Sequence, residues 1–185
     1  MYDNNQHITK LLQRCRKGEQ SAQLEIYKQY YRAMYNISLR ILKDSYEAED
    51  VMQESFLIAF EKLGTFKGEV TFGAWLKRIV INKSITHLRK NNKYQTVTLD
   101  VVPDQDDSSG QSDDNDYSKV RAKQLLECIK KLKDNYRLAL TLNLIEGYDY
   151  EEISDIMGIS YQNTRTMISR AKNKVRELAL VSYEW

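Results

Sequence analysis

Proline occurs once in this chain, at Pro103, and glycine only seven times in 185 residues, so long helical stretches meet few breakers. Cysteine and histidine are equally sparse, at two each. Cys15 and Cys128 are too few and too far apart for a disulfide framework, and neither has a second Cys or a His at metal-ligand spacing. Both are expected to be inert, buried thiols. His7 and His87 stand alone, so no Ser/His/Asp, Cys/His or His/carboxylate constellation can be assembled. Nothing reads as an enzyme, and no metal or cofactor is expected. Long apolar runs are missing too. The opening MYDNNQHITK has no apolar core of a signal peptide, and no uncharged apolar run approaches the ~20 residues of a membrane span. The expectation is a cytoplasmic protein with no membrane insertion, helical and soluble, with 29 % charged and 42 % apolar residues.

The net charge of +2 conceals a pattern. Residues 1–90 sum to +5, residues 91–118 to −6 and residues 119–185 to +3. Two basic blocks joined by an acidic strip point to a protein that binds a polyanion, with a connecting segment that avoids or imitates that polyanion. The strip "NNKYQTVTLDVVPDQDDSSGQSDDNDY" holds the single Pro, an SSG turn signal and seven Asp, and has no sustained period. It is expected to be a flexible acidic linker, and its 27 residues reach on the order of 90 Å when extended, at ~3.3 Å per residue.

Helical periodicity flanks the strip on both sides. Apolar positions recur at Leu24, Tyr27, Tyr31, Met34, Ile37 and Ile41, then at Ala48, Val51, Met52, Ala59 and Leu63, and again at Phe72, Leu76, Ile79 and Val80. With a short helix from about Ile8 to Arg16, stopped by Gly18, they predict an N-terminal four-helix unit ending near Lys90. Beyond the strip, Val120, Leu125, Leu126, Ile129 and Leu132 open a second helical block, followed by a helix over Tyr136–Ile145. A short helix from about Tyr150 to Met157, a turn at Gly158 and a last helix capped by Ser160 have the outline of a helix-turn-helix. The fold class is all-α.

In the last helix, Thr164, Met167, Ile168, Ala171, Val175 and Leu178 form a core stripe. Gln162, Arg165, Thr166, Ser169, Lys172, Asn173 and Arg176 lie opposite. From Ser160 to Arg176 there are five cations and no acid, whereas Glu146 to Asp155 holds five acids and no cation. Such polarity suits a recognition helix in a major groove, with early residues at base edges and later cations at phosphates. Arg165 is the foremost base reader, because its guanidinium pairs in bidentate fashion with guanine.

The acidic run "YEAEDVMQESF" lies on a predicted helix whose apolar side carries Ala48, Val51, Met52, Phe56, Ala59 and Leu63. Asp44, Glu47 and Glu49 serve the helix start through capping and the macrodipole. Asp50, Gln53 and Glu54 lie past the first turn, with Leu57 among them on the face opposite the core. An apolar residue ringed by acids is an anchor for a basic protein partner. Downstream, Trp75, Arg78, Asn82, Thr86 and Arg89 step by three or four residues into one stripe. An aromatic, an amide and two guanidiniums in line suit an unpaired nucleic-acid strand, whose bases stack on rings and whose phosphates attract cations. The preceding loop, with Gly64, Gly68 and Gly73, is able to shape a pocket for an extruded base.

These motifs match a family. "YEAEDVMQESF" resembles the polymerase-binding segment of bacterial sigma factors of the extracytoplasmic-function (ECF) group, within the sigma-seventy family, and "FKGEVTFGAWLKRIVIN" resembles the promoter-melting segment that follows it. "GYDYEEISDIMGISYQNTRTMISRAKNKVREL" is similar to the group's C-terminal helix-turn-helix. The resemblance covers roughly residues 8–90 and 120–180. It implies sigma region 2 over 1–90, a linker over 91–118 and sigma region 4 over 119–185. It also implies that Asp50, Gln53, Glu54 and Leu57 meet the clamp coiled coil of core RNA polymerase, whose flap is a further partner. Phe66, Lys67, Trp75, Arg78, Asn82 and Arg89 would take the minus-ten element, capturing a flipped base of the melted strand. Gln162, Asn163, Arg165, Thr166, Ser169, Arg170 and Lys172 would read the duplex minus-thirty-five element, and an anti-sigma factor is an expected partner. The chain departs from the group's pattern at Thr86, where Asp is common, and at Asn163 and Met167, which replace a common Thr and a common basic residue. The alternative readings are a stand-alone helix-turn-helix transcriptional regulator and a helical adaptor without DNA activity.

Overall fold

A computed structural model describes residues 2–91 and 117–181, with side chains over 6–90 and 124–179. The chain divides into two compact units, one within residues 1–94 and one within 95–185. The acidic strip expected to be a linker lies almost entirely outside the described residues. Among the described residues there is no strand.

The first unit contains α1 (Tyr2–Arg16), α2 (Gln20–Leu42), α3 (Ser45–Glu61), a 3₁₀ turn (Leu63–Thr65) and α4 (Phe72–Asn91). α2, α3 and α4 all pack against one another, and α1 lies on α2. Gly18, at φ +82°, provides the left-handed backbone that lets α1 reverse into α2. The core is built from Ile26, Ile41, Val51, Leu76, Val80 and Ile81. Ser38 and Ser84 are buried where α2 meets α4, their hydroxyls 3.1 Å apart. The Ser84 hydroxyl donates to the Val80 carbonyl at 2.8 Å, which leaves Ser38 to donate to Ser84, so neither buried oxygen lacks a partner.

The periodicity of α2 places Met34, Ile37 and Ile41 on the inner face as expected and misplaces the N-terminal half of that face. Leu24 is 53 % and Tyr31 44 % exposed, while Ala22, Ile26, Met34, Ile37, Ser38 and Ile41 are buried. A tyrosine-rich helix carries enough apolar surface for two overlapping stripes. Packing selects the one whose small residues, Ala22 and Ser38, allow close approach. Tyr27 and Tyr31 stack at 5.7 Å, and Tyr27 meets Phe56 of α3 at 4.8 Å.

The second unit contains α5 (Tyr117–Lys130), α6 (Asp134–Leu140), a π turn (Thr141–Ile145), α7 (Tyr150–Met157) and α8 (Tyr161–Val181). α8 packs on α5, α6 and α7. The helix expected over Tyr136–Ile145 therefore ends in a widened turn, where the Glu146 N–H donates to the Thr141 carbonyl at 3.0 Å. In α5, Cys128 and Ile129 are buried, and Leu132 beyond its end is buried too, whereas Leu125 and Leu126 stay partly exposed.

Candidate nucleic-acid interface

α3 begins where the Asp44 carboxylate accepts the Glu47 N–H at 2.9 Å, the forward bond of a capping box. The rest of the acidic cluster divides by face. Glu47 reaches His87 of α4 at 3.5 Å, and Glu54 accepts from the Lys83 ammonium at 2.7 Å. The Lys83 hydrogen bond holds the Glu54 carboxyl below the usual carboxylate range. Gln53 donates to Glu49 at 3.3 Å along the helix. Asp50, Gln53, Glu54 and Leu57 all project from the outer face, Leu57 64 % exposed and two turns beyond Asp50. The sequence placed these four on one exposed side, and they are there. It missed the ties to α4, because Lys83 and His87 lie more than a helix away and leave no local signal.

Between α3 and α4 the chain builds an aromatic cluster. Phe66 packs on Trp75 at 5.3 Å and on Phe72 at 5.8 Å, and Phe72 meets Trp75 at 5.7 Å and Tyr30 of α2 at 5.5 Å. Burial pushes the Tyr30 hydroxyl up. A Cβ on Gly73 would lie 3.0 Å from the Tyr30 ring, so glycine permits this close approach. Trp75 and Phe66 are half-buried, whereas Lys67, Arg78, Asn82, Thr86 and Arg89 are exposed. Trp75 is thus partly packed and partly accessible. The stripe from Trp75 to Arg89 extends roughly 21 Å along α4 at ~1.5 Å per residue. Within it, the Thr86 hydroxyl donates back to the Asn82 carbonyl at 2.8 Å. The loop before α4 is fastened from α1, where Arg16 donates to the Phe66 carbonyl at 2.9 Å and the Leu63 carbonyl at 3.4 Å.

In the second unit, Asp149 and Glu152 form a full capping box at the start of α7. Gly158 closes α7 with φ +63°, and the Ser160 hydroxyl accepts the Asn163 N–H at 3.3 Å to start α8. Thr164, Met167, Ile168, Ala171 and Val175 are buried, with Leu178 half-buried. Gln162, Asn163, Arg165 and Ser169 are exposed, and Thr166, Arg170 and Lys172 are half-exposed. All seven residues expected to face DNA therefore lie outside the packed stripe of α8. Met167 points inward.

Cys15 and Cys128 are free and buried, and burial raises the Cys15 thiol pKa, which suits inert thiols. Among the described residues no helix is long and apolar enough to cross a membrane.

Residues 26–94 match the model of Sigma-70 region 2, and residues 122–175 match that of Sigma-70 region 4. The chain is 32 % identical over 155 residues to the ECF RNA polymerase sigma factor SigM of Bacillus subtilis, covering 83 % of this chain and 93 % of that one. It is 28 % identical over 180 residues to the ECF RNA polymerase sigma-E factor of Escherichia coli, covering 91 % and 94 %. In fold it is similar to the sigma factor RpoE solved in complex with the anti-sigma factor NepR from Bartonella quintana, with a TM-score of 0.56, 22 % identity and coverage of 85 % and 96 %. A helical unit with an exposed acidic face and an aromatic-basic stripe, a helix-turn-helix unit with a basic outer face, and these relatives across most of the chain converge: the protein belongs to the ECF family of RNA polymerase sigma factors.

Proposed function

We propose that the chain binds core RNA polymerase and directs initiation at promoters by recognising both a minus-ten and a minus-thirty-five element. Asp50, Gln53, Glu54 and Leu57 meet the clamp coiled coil of the polymerase. Phe66, Lys67, Trp75, Arg78, Asn82 and Arg89 hold the melted minus-ten strand, with Trp75 and Phe66 as stacking platforms and the cations on phosphates. Gln162, Asn163, Arg165, Thr166, Ser169, Arg170 and Lys172 meet the minus-thirty-five duplex. Residues 1–90, 91–118 and 119–185 divide as region 2, linker and region 4. The protein works in the cytoplasm by binding and not by turnover, and an anti-sigma factor is a further partner, as NepR is of the sigma factor RpoE in their co-crystal structure.

The observation that carries this reading is Leu57, exposed on an acidic face of a unit that shares its chain with a helix-turn-helix. A stand-alone regulator has no use for that first unit. Purified protein with core polymerase should give specific run-off transcripts from a cognate promoter. Duplex binding without transcription across a genomic promoter library would instead establish the stand-alone regulator.

A further inference from the structure

We infer that Arg16, in the last turn of α1, is a positioning residue for base selection: it fixes the turn that presents Phe66 and Lys67 to the melted strand. The inference rests on the base-capture role proposed for that loop. Arg16 Nη2 donates to the carbonyls at both ends of the turn, Phe66 at 2.9 Å and Leu63 at 3.4 Å. The Leu63 carbonyl also accepts the Phe66 N–H at 3.3 Å, while the Thr65 N–H and hydroxyl donate to the Lys62 carbonyl at 2.9 and 2.7 Å, so the guanidinium reinforces the end of the turn that its longest bond closes. The Phe66 carbonyl belongs to the planar peptide unit that leads into Lys67. Holding that oxygen therefore sets the plane from which the Lys67 side chain departs. Directly beyond, Gly68 at φ +80° turns the chain away.

Side chains fix the remaining freedom. Leu63 is buried, and the Phe66 ring lies against Phe72 and Trp75. Packing thus anchors the aromatic partner while Arg16 orients the backbone. Its neighbour on α1 does something different. Arg14 donates to Glu19 at 2.7 Å and Ser21 at 3.2 Å, closing the local α1–α2 turn. Two arginines two positions apart in the last turn therefore separate into a local structural brace and contacts 47 and 50 residues away in sequence. Arg16 also lies outside the stretch matched by the region 2 model, which begins at residue 26.

The test uses holoenzyme assembled from the full chain and core polymerase, with single-stranded DNA oligonucleotides randomised through the minus-ten segment and the bound pool sequenced. Arg16→Ala should flatten base preference at one position by about fivefold, the factor carried by one net hydrogen bond. Preferences elsewhere and the affinity for core polymerase should be retained. Arg16→Lys, with flexible donors in place of a planar fork, should restore part of the preference. Arg14→Ala should lower the melting temperature and leave preferences unchanged. An unchanged preference in Arg16→Ala, or an even loss across all sequences, overturns the inference. Phe66→Ala and Asn82→Ala separate the two levels. If they flatten the preferences and Arg16→Ala does not, only the role of Arg16 fails. If they too change nothing, base capture by this loop fails with it.

Discussion

In the C-terminal unit every residue proposed to touch DNA lies on α8, within eleven positions from Gln162 to Lys172. The N-terminal unit draws its DNA candidates from the loop and α4, and its loop and aromatic cluster are fastened by Arg16 of α1 and Tyr30 of α2. The difference is one of range. A recognition helix needs only one face held against a core and the other left outside, which a single period of 3.6 residues specifies. A surface meant to hold an unpaired strand must bring a loop, an aromatic wedge and a cation stripe into register. That register comes from contacts between residues far apart in sequence.

The two units can be set against each other by substitution. The largest effect is expected from Ile168→Asp, which places an unpaired carboxylate in the fully buried centre of α8 and should cost more than about 4 kcal/mol. Duplex binding should vanish while the first unit keeps its helical circular dichroism and its affinity for core polymerase; joint loss of both would show that the units do not fold separately. Next comes Leu57→Arg. It should weaken association with core polymerase by about 2 kcal/mol without a change in melting temperature, as expected when an apolar anchor at the centre of an interface is replaced by a charge. Unchanged affinity would remove the α3 face from the interface. Arg165→Ala should cost about 1–3 kcal/mol at one promoter position if the guanidinium reads a base. A uniform loss across sequences would make it a phosphate contact and bring α8 closer in character to the cation stripe of α4.

The smallest effect concerns the tie between α3 and α4. Lys83 lowers the Glu54 pKa, so this pair stabilises the folded state above the unfolded carboxyl value of ~4.3 and loses that contribution as pH falls through the lowered folded value. Both side chains are substantially exposed, which limits the contribution to below about 1 kcal/mol. The difference in melting temperature between wild type and Lys83→Ala should be present at about pH 5 and shrink toward about pH 3. A difference that does not vary with pH would mean that Lys83 acts through packing.

Most of the helix-turn-helix was legible in advance. Gly158, Ser160 and the alternation of Thr164, Ile168, Ala171 and Val175 with Arg165, Ser169 and Lys172 are local signals, and α7, the turn and α8 stand where they indicated. The outward projection of Leu57 was equally readable from a wheel of α3. α2 was less so. Its Leu24–Tyr31 stripe and its Ala22–Ile26 stripe both satisfy helical spacing, and only the fit against α3 and α4 decided between them. The partial exposure of Leu125 and Leu126 was hidden for the same reason, since periodicity marks an apolar side without saying how much of it a neighbour covers.

By itself the sequence determined the helical class, the charge division along the chain and the inner and outer faces of α3 and α8, because propensity, capping and amphipathic spacing act over one or two turns. Tertiary structure alone decided that Glu54 answers to Lys83, that Gly73 makes room for Tyr30 and that Arg16 holds the Phe66 turn. Each of those joins residues 29 or more positions apart, and such contacts exist only once the helices have packed.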